Sequence, residues 1–198
     1  MTKSVLQKIL KVFLTLQWAK ELPRQGFIAL GFKRNEADSV AAHSWATAML
    51  AYLFATELKR KGAKVDVDRV VKMALFHDMA ETIVGDVHTH VKKMAGGAFR
   101  EIERVGLLEL VKDLPSKAEI IELMDDYEKR ESIEARIVKT CDNLDALAQA
   151  KSVPAAKIKY FKGVYNLTKF DWHRDAVEMI IKDEVEPYAE WEKSNDKH

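Results

Sequence analysis

The stretch His77-Asp78-Met79-Ala80-Glu81, with Gly85-Asp86 close behind, puts ionisable side chains at the end of an apolar run, Val70, Val71, Met73, Ala74, Leu75 and Phe76, where packing residues belong. On a continuous helix His77 and Glu81 stand one turn apart and Asp78 lies three residues before Glu81, so all three converge on one face. Burying charge there costs several kcal/mol unless something neutralises it. A divalent cation is the economical partner, because neutral imidazole and carboxylate are ligands that borderline and hard metals accept. Further ligands have to come from elsewhere in the chain. His43 sits between Val40, Ala41, Ala42, Ala46 and Ala48, and Asp142 is flanked by Thr140, Cys141 and Leu144. A lone histidine in such a position is more often a packed residue, but an aspartate on an apolar helix face is rarely buried without a partner. Taken together, His43, His77, Asp78 and Asp142 make a mixed nitrogen and oxygen set that suits manganese, iron, cobalt, nickel or zinc.

The elements that must position these residues read as helix after helix. Val5, Leu6, Ile9, Leu10, Phe13 and Leu16 recur at helical spacing, which predicts an amphipathic first helix. Pro23, Gly26 and Gly31 break the pattern, so the segment from Leu22 to Asp38 is expected to be a long loop, of a length that is usually functional or disordered. Asp38 or Ser39 caps a second helix that carries His43 and stops at Gly62; Asp66 starts a third that ends in the central stretch. Further helices are expected from Gly96-Gly97 to about Asp113, from Ser116 to Lys129 behind Pro115, and from Glu131 to Lys151 ahead of Pro154. A last helix runs from about Arg174 to Glu192, interrupted near Pro187. No period-2 strand and no internal repeat is evident. The expected fold is an all-α, single-domain helical bundle spanning residues 1–198, with a core over about 5–150 and a helical extension over 151–198.

Bulk properties narrow the classes of function. A chain of 198 residues with 47% hydrophobic content is long enough for one sizeable core. A formal net charge of +1 gives no footprint for a nucleic-acid polymer. Cys141, the single cysteine, cannot form an internal disulfide, which suits a reducing compartment. No apolar run approaches the about 20 residues a membrane span needs, and the segment from Val5 to Trp18 is interrupted by Lys8, Lys11 and Gln17 and lacks a cleavage site. The expectation is a cytoplasmic protein with no membrane partner.

The order His43, His77-Asp78 and Asp142 in helical surroundings resembles the HD-domain superfamily of metal-dependent phosphohydrolases. The segments Asp38-Ser39-Val40-Ala41-Ala42-His43-Ser44, His77-Asp78-Met79-Ala80-Glu81, Gly85-Asp86 and Lys139-Thr140-Cys141-Asp142 are similar to those of its small 5'-deoxynucleotidases. What the resemblance implies is hydrolysis of deoxyribonucleoside 5'-monophosphates to deoxynucleoside and phosphate, with one divalent transition metal held by His43, His77, Asp78 and Asp142, in a homodimer. It also implies that Asp86 assists as a second acid/base group near the leaving 5'-oxygen, and that Arg24 and Phe27, in Pro23-Arg24-Gln25-Gly26-Phe27, contact phosphate and sugar. Lys92 matches a lysine of the family and is expected near the phosphate. Phenylalanine stands at Phe27 where the family has tryptophan, and Ala42 where relatives commonly carry an acidic residue. The alternatives are an HD-type hydrolase of another phosphorylated nucleotide, or a metal- or nucleotide-binding module without turnover.

The chemistry also follows from the residue types. Phosphate monoesters hydrolyse very slowly without a catalyst, so the site must neutralise anionic oxygens and supply a nucleophile. A metal with open positions for water and a phosphate oxygen brings the water's pKa toward roughly 7. Glu81 is placed to take the proton from that water. Arg24 can grip phosphate oxygens as a fork, and Phe27 can wall the deoxyribose. The pair His88 and His90 reads best as a solvated loop with two titrating residues. The interleaved basic and aromatic residues from Lys157 to Arg174 read as a packing or dimer edge, and Cys141 as a small buried hydrophobe.

Overall fold

Three helices that pack on one another carry the expected ligands: α3 (Val40–Arg60), α4 (Val67–Phe76) and α9 (Ile133–Ser152). The computed structural model describes residues 1–152 and 170–185. Around the central trio lie α1 (Lys3–Leu16), a 3-10 turn at Gln17–Lys20, α2 (Gln25–Ala29), α5 (Glu81–Val84), α6 (Thr89–Ala95), α7 (Gly97–Val111), α8 (Lys117–Lys129) and α10 (Asp171–Ile181). Among the described residues the one pairing of extended backbone is an isolated antiparallel bridge between Pro23 and Ser39. The fold is an all-α bundle, as the periodicities predict. The expected stop at Pro154, the residues from Lys157 to Lys169 and the interruption near Pro187 lie outside the described residues.

Local signals explain the boundaries. The Ser39 hydroxyl accepts the backbone N–H of Ala42 at 3.2 Å and so caps α3, while Asp66 caps α4 through the N–H of Arg69 at 3.0 Å. Ser132 does the same for α9, accepting from Ala135 N–H at 3.0 Å. Small side chains then let the helices approach. Ala51 and Ala55 of α3, Val70, Met73 and Ala74 of α4, and Ala135, Ile137, Val138 and Cys141 of α9 are fully buried in one cluster. Burying a side chain such as Met73 contributes about 1.5–3 kcal/mol.

The structure departs from the sequence reading in several places. The last helix, expected from about Arg174 to Glu192, runs over Asp171–Ile181, with Asp183 at a positive φ of 56° just beyond it. The expected loop from Leu22 to Asp38 contains α2, and its neck is closed by backbone hydrogen bonds from Arg24 to Asp38 and from Val40 to Leu22. The expected solvated loop around His88 and His90 becomes the start of α6, with His88 Nδ1 accepting the His90 backbone N–H. On α1, Val12 and Leu16 meet the core, but Leu6, Ile9, Leu10, Phe13 and Leu14 stay between 40% and 62% exposed. The amphipathic face predicted for this helix is therefore mostly open among the described residues.

One glycine sets how close α7 comes to the functional stretch. A Cβ added at Gly106 would lie 2.8 Å from Cγ1 of Val84, a β-branched side chain at the end of α5 with little rotamer freedom. Gly106→Ala is expected to cost about 1–3 kcal/mol through overpacking, read as a thermal midpoint lowered by several degrees; an unchanged midpoint would show that α5 and α7 are not locked at this contact.

Candidate metal centre

The centre begins where α4 ends. The Ala74 carbonyl, which in a continuing helix would take the Asp78 N–H, accepts instead from the His77 ring, with Nδ1 at 2.7 Å. The chain then runs through tight turns, with Met79 N–H to the Phe76 carbonyl and Glu81 N–H to the Asp78 carbonyl, before α5 starts at Glu81. The continuous helix expected from His77 to Glu81 is thus corrected to a helix end, a turn and a new helix. A positive φ of 81° at Gly85 closes α5, a conformation that suits glycine.

His43 from α3, His77 from the end of α4 and Asp142 from α9 meet here, each offering a donor atom within 4.8 Å of the others. His43 Nε2 is 3.3 Å from His77 Nε2 and 3.3 Å from Asp142 Oδ1. Asp78 Oδ2 lies 3.3 Å from His77 Nε2 and 3.6 Å from His43 Nε2. Ligands around one transition metal, with bonds of about 2.0–2.2 Å, stand roughly 3.0–3.5 Å apart, so the His43, His77 and Asp142 atoms are spaced to share a cation, while Asp78 stands beside the two imidazoles and outside the group whose atoms all lie within 4.8 Å of one another. The tautomers fit as well. A carbonyl can only accept, so His77 carries its ring proton on Nδ1 and, when neutral, turns a bare Nε2 toward His43. Nitrogen lone pairs 3.3 Å apart repel unless a cation or a proton lies between them.

The electrostatics agree. Burial and the Arg24 charge push the His43 imidazole down, but its hydrogen bonds to Asp142 and Asp145 outweigh them and lift it to about 9. Burial alone would raise Asp142, yet Lys139 and the two imidazoles hold it well below the usual carboxylate range. Asp78 is likewise held down against burial, by His77, Arg24 and His43. The Oδ2 of Asp142 accepts from the Tyr127 hydroxyl at 3.0 Å and from Lys139 Nζ at 2.6 Å, which leaves Oδ1 for the centre.

The residues expected to act on substrate surround this set. Glu81 is 3% exposed. Its Oε1 accepts from Lys92 Nζ at 3.1 Å, while Oε2 is buried without a hydrogen-bond partner among the described residues. Burial and the charges of Asp78 and Asp86, only partly offset by Lys92 and Arg24, raise the Glu81 carboxyl to about 9. Lys92 also binds Glu103 at 2.8 Å and lies 5.2 Å over the Phe99 ring. Arg24 reaches Asp78 Oδ2 with Nη1 at 3.0 Å. Asp86 accepts the Gln25 backbone N–H at 2.5 Å and so ties the turn after α5 to the first residue of α2. Phe27 is 3% exposed and packs on Phe32, with ring centroids 5.0 Å apart, in a small cluster with Ala150. That position anchors α2 and leaves little of the ring to face a sugar.

Sequence reasoning missed the residues that hold the ligands. Asp145 lies 2.6 Å from His43 Nδ1; Tyr127 and Lys139 serve Asp142, and Glu103 serves Lys92. Lys139 and Asp145 sit three residues either side of Asp142 on α9, so asking which residues share its helix face would have found both. Nothing in the local sequence marks Tyr127. Cys141 is fully buried, and burial with the nearby Asp142 and Asp145 charges pushes its thiol far up, which removes it as a nucleophile.

A helical bundle that brings an imidazole from one helix to a His-Asp pair just past the end of a second and an aspartate from a third gathers the residue types that could hold a cation. The chain belongs to the HD domain family, whose pattern matches residues 17–183. It is 30% identical over 173 residues to the human 5'-deoxynucleotidase HDDC2, covering 84% of this chain and 80% of that protein. A 5'-deoxynucleotidase of Saccharomyces cerevisiae is 31% identical over 191 residues, covering 91% of this chain and 72% of that protein. The crystal structure of the PH0347 protein from Pyrococcus horikoshii superposes with a TM-score of 0.75 at 24% identity, covering 87% of this chain and 98% of that one, which shows the fold.

The raised Glu81 carboxyl predicts a pH signature in the metal-free protein. Its ordinary value is 4.5 and its folded value about 9, so the folded state holds a proton that the unfolded state releases between those limits. Glu81 therefore weakens the fold progressively as pH rises through that window. The thermal midpoint of metal-free Glu81→Gln is expected to exceed that of the wild type by a margin that grows from pH 4.5 toward pH 9; a margin independent of pH would contradict the burial assigned to this carboxyl.

Proposed function

We propose that this chain is a metal-dependent 5'-deoxynucleotidase that hydrolyses deoxyribonucleoside 5'-monophosphates. The observation that carries the reading is the pair of imidazole Nε2 atoms 3.3 Å apart, with the carboxylates of Asp78 and Asp142 against them. The curated relatives bear that activity in their names over most of this chain's length. His43, His77, Asp78 and Asp142 are the residues that would hold the cation. When bound, a divalent transition metal supplies Lewis-acid polarisation of a phosphate oxygen and a lower pKa for water.

The chain's own residues then divide the work. Glu81 takes the proton of the attacking water on Oε2, and a cation next to Asp78 would pull its raised carboxyl down toward the ionised form that accepts a proton. Arg24 binds the phosphate oxygens, and Lys92 supplies a second positive charge from the other side of Glu81. Water oxygen bonds to phosphorus as the bond to the 5'-oxygen breaks, and that oxygen leaves with a proton. The proton that Glu81 takes from water is the one delivered to the leaving 5'-oxygen, and Asp86 is assigned to relay it through the carboxyl oxygen not engaged by Gln25. The donor set suits manganese, iron, cobalt, nickel or zinc.

Assembly and compartment complete the proposal. A homodimer is supported by the open apolar face of α1, since side chains of this size at Leu6, Leu10, Phe13 and Leu14 gain by leaving water. A cytoplasmic location is supported by the unpaired Cys141. No helix of the described residues is long and apolar enough to cross a membrane.

Phosphate release from a panel of deoxyribo- and ribonucleoside mono- and triphosphates, with manganese or cobalt added, tests the reading; deoxyribonucleoside monophosphates are expected to be turned over best, and release from none of them would overturn it. His77→Ala is expected to lose metal and activity together, whereas Glu81→Ala keeps the metal and loses about 100-fold or more in kcat; equal metal content and equal activity in the two variants would contradict the assigned roles. Arg24→Ala is expected to raise KM by about 10-fold or more, and an unchanged KM would remove Arg24 from the phosphate site.

A further inference from the structure

The carboxylate of Asp145 stands apart from the atoms that would face substrate, yet it makes one of the shortest contacts in the centre, 2.6 Å from Nδ1 of His43. His43 is 1% exposed, and the Asp145 side chain 16%. Asp145 lies one helical step from Asp142 on α9, so a single helix presents a candidate ligand and, three residues on, a group touching the far side of another candidate ligand. With Asp38, Asp145 also forms a second acidic cluster around His43. That cluster does not read as a second cation site. Two ligands of one transition metal cannot come much closer than about 3 Å with bonds of about 2.0–2.2 Å, whereas His43 Nδ1 and Asp145 Oδ2 are at hydrogen-bonding distance.

We infer that Asp145 is a positioning residue: by accepting the Nδ1–H of His43 it fixes the ring's tautomer and rotation so that the Nε2 lone pair faces His77 and Asp142. The inference rests on the metal-centre reading above. Nothing else reaches Nδ1 with a hydrogen bond among the described residues, while Nε2 has the centre's other members around it. His77 achieves the same end through the Ala74 carbonyl, a group that can only accept. Asp145 differs in being charged and replaceable. A carboxylate on the outer nitrogen raises the basicity of the inner one, and losing such a partner typically weakens metal affinity by about 10- to 100-fold. Asparagine has nearly the same shape but can turn its amide N–H toward Nδ1, which puts the ring proton on Nε2 and blocks ligation. The same swap beside a catalytic histidine produces the wrong tautomer in serine proteases.

The test is the dissociation constant for Mn²⁺ and for Co²⁺, by titration of the metal-free full chain, in the wild type, Asp145→Asn and His43→Ala, with the thermal midpoint of each metal-free protein recorded. The expected result for Asp145→Asn is a dissociation constant raised about 10- to 100-fold with the metal-free midpoint kept near the wild-type value. Wild-type affinity in Asp145→Asn overturns the inference while leaving the metal centre standing. Absence of binding by the wild type overturns both. Should Asp145→Asn fold poorly, the wild type still decides: in its Zn²⁺-loaded form, long-range ¹H–¹⁵N correlations of the His43 ring are expected to place the proton on Nδ1, and a proton found on Nε2 or on neither nitrogen overturns the assignment.

Discussion

The structure depends on the meeting of His43 Nε2, His77 Nε2 and Asp142 Oδ1, a set of mutually repelling or costly groups brought together inside an apolar bundle. Neither imidazole can turn away, because the Ala74 carbonyl holds one and Asp145 holds the other. The register of α3, α4 and α9 follows from that. Alanines at positions 51, 55, 74 and 135 let the helices approach, and the caps at Ser39, Asp66 and Ser132 fix where each begins. A bundle chosen only for packing would not place charge at its centre. The break after Phe76 belongs to the same constraint: giving the Ala74 carbonyl to a side chain ends α4 and frees the turn that delivers Asp78 and Glu81 to one place.

Burial does different things to the carboxylates. Asp78 and Asp142 each touch cationic groups and stay ionised, which is the form that binds a metal. Glu81 is raised first by burial and then by the charges of Asp78 and Asp86, which Lys92 and Arg24 offset only in part. Carboxylates pushed in opposite directions within one site are the mark of divided roles, ligand against proton acceptor. Arg24 and Lys92 lie on separate elements, the α2 neck and α6, and each already rests on an acidic partner, Asp78 and Glu81. An anionic ester entering between them would meet guanidinium and ammonium groups whose positions are set in advance.

Much of this was legible in the sequence, for a physical reason. Charge at the end of the run Val70 to Phe76 violates the packing pattern, and such violations are where function is written. The helices carrying His43 and Asp142 announced themselves through apolar periodicity and through caps such as Ser39. Three things were hidden. The helix break after Phe76 depends on a side chain competing with the backbone for one carbonyl, which spacing cannot reveal. Phe27 looked like a substrate contact because it is the nearest equivalent of the family's tryptophan, but burial against Phe32 is a tertiary fact. Tyr127 and Glu103 resemble ordinary helix residues until the facing helices are in place, whereas Asp145 shares a helix face with Asp142 and could have been found by that spacing.

Anomalous scattering from a crystal of the protein grown with Mn²⁺ tests the central claim most directly. The account predicts one strong peak bounded by His43 Nε2, His77 Nε2, Asp78 and Asp142 Oδ1. A peak at any other place, or none at this one in crystals that hold the metal, would contradict it.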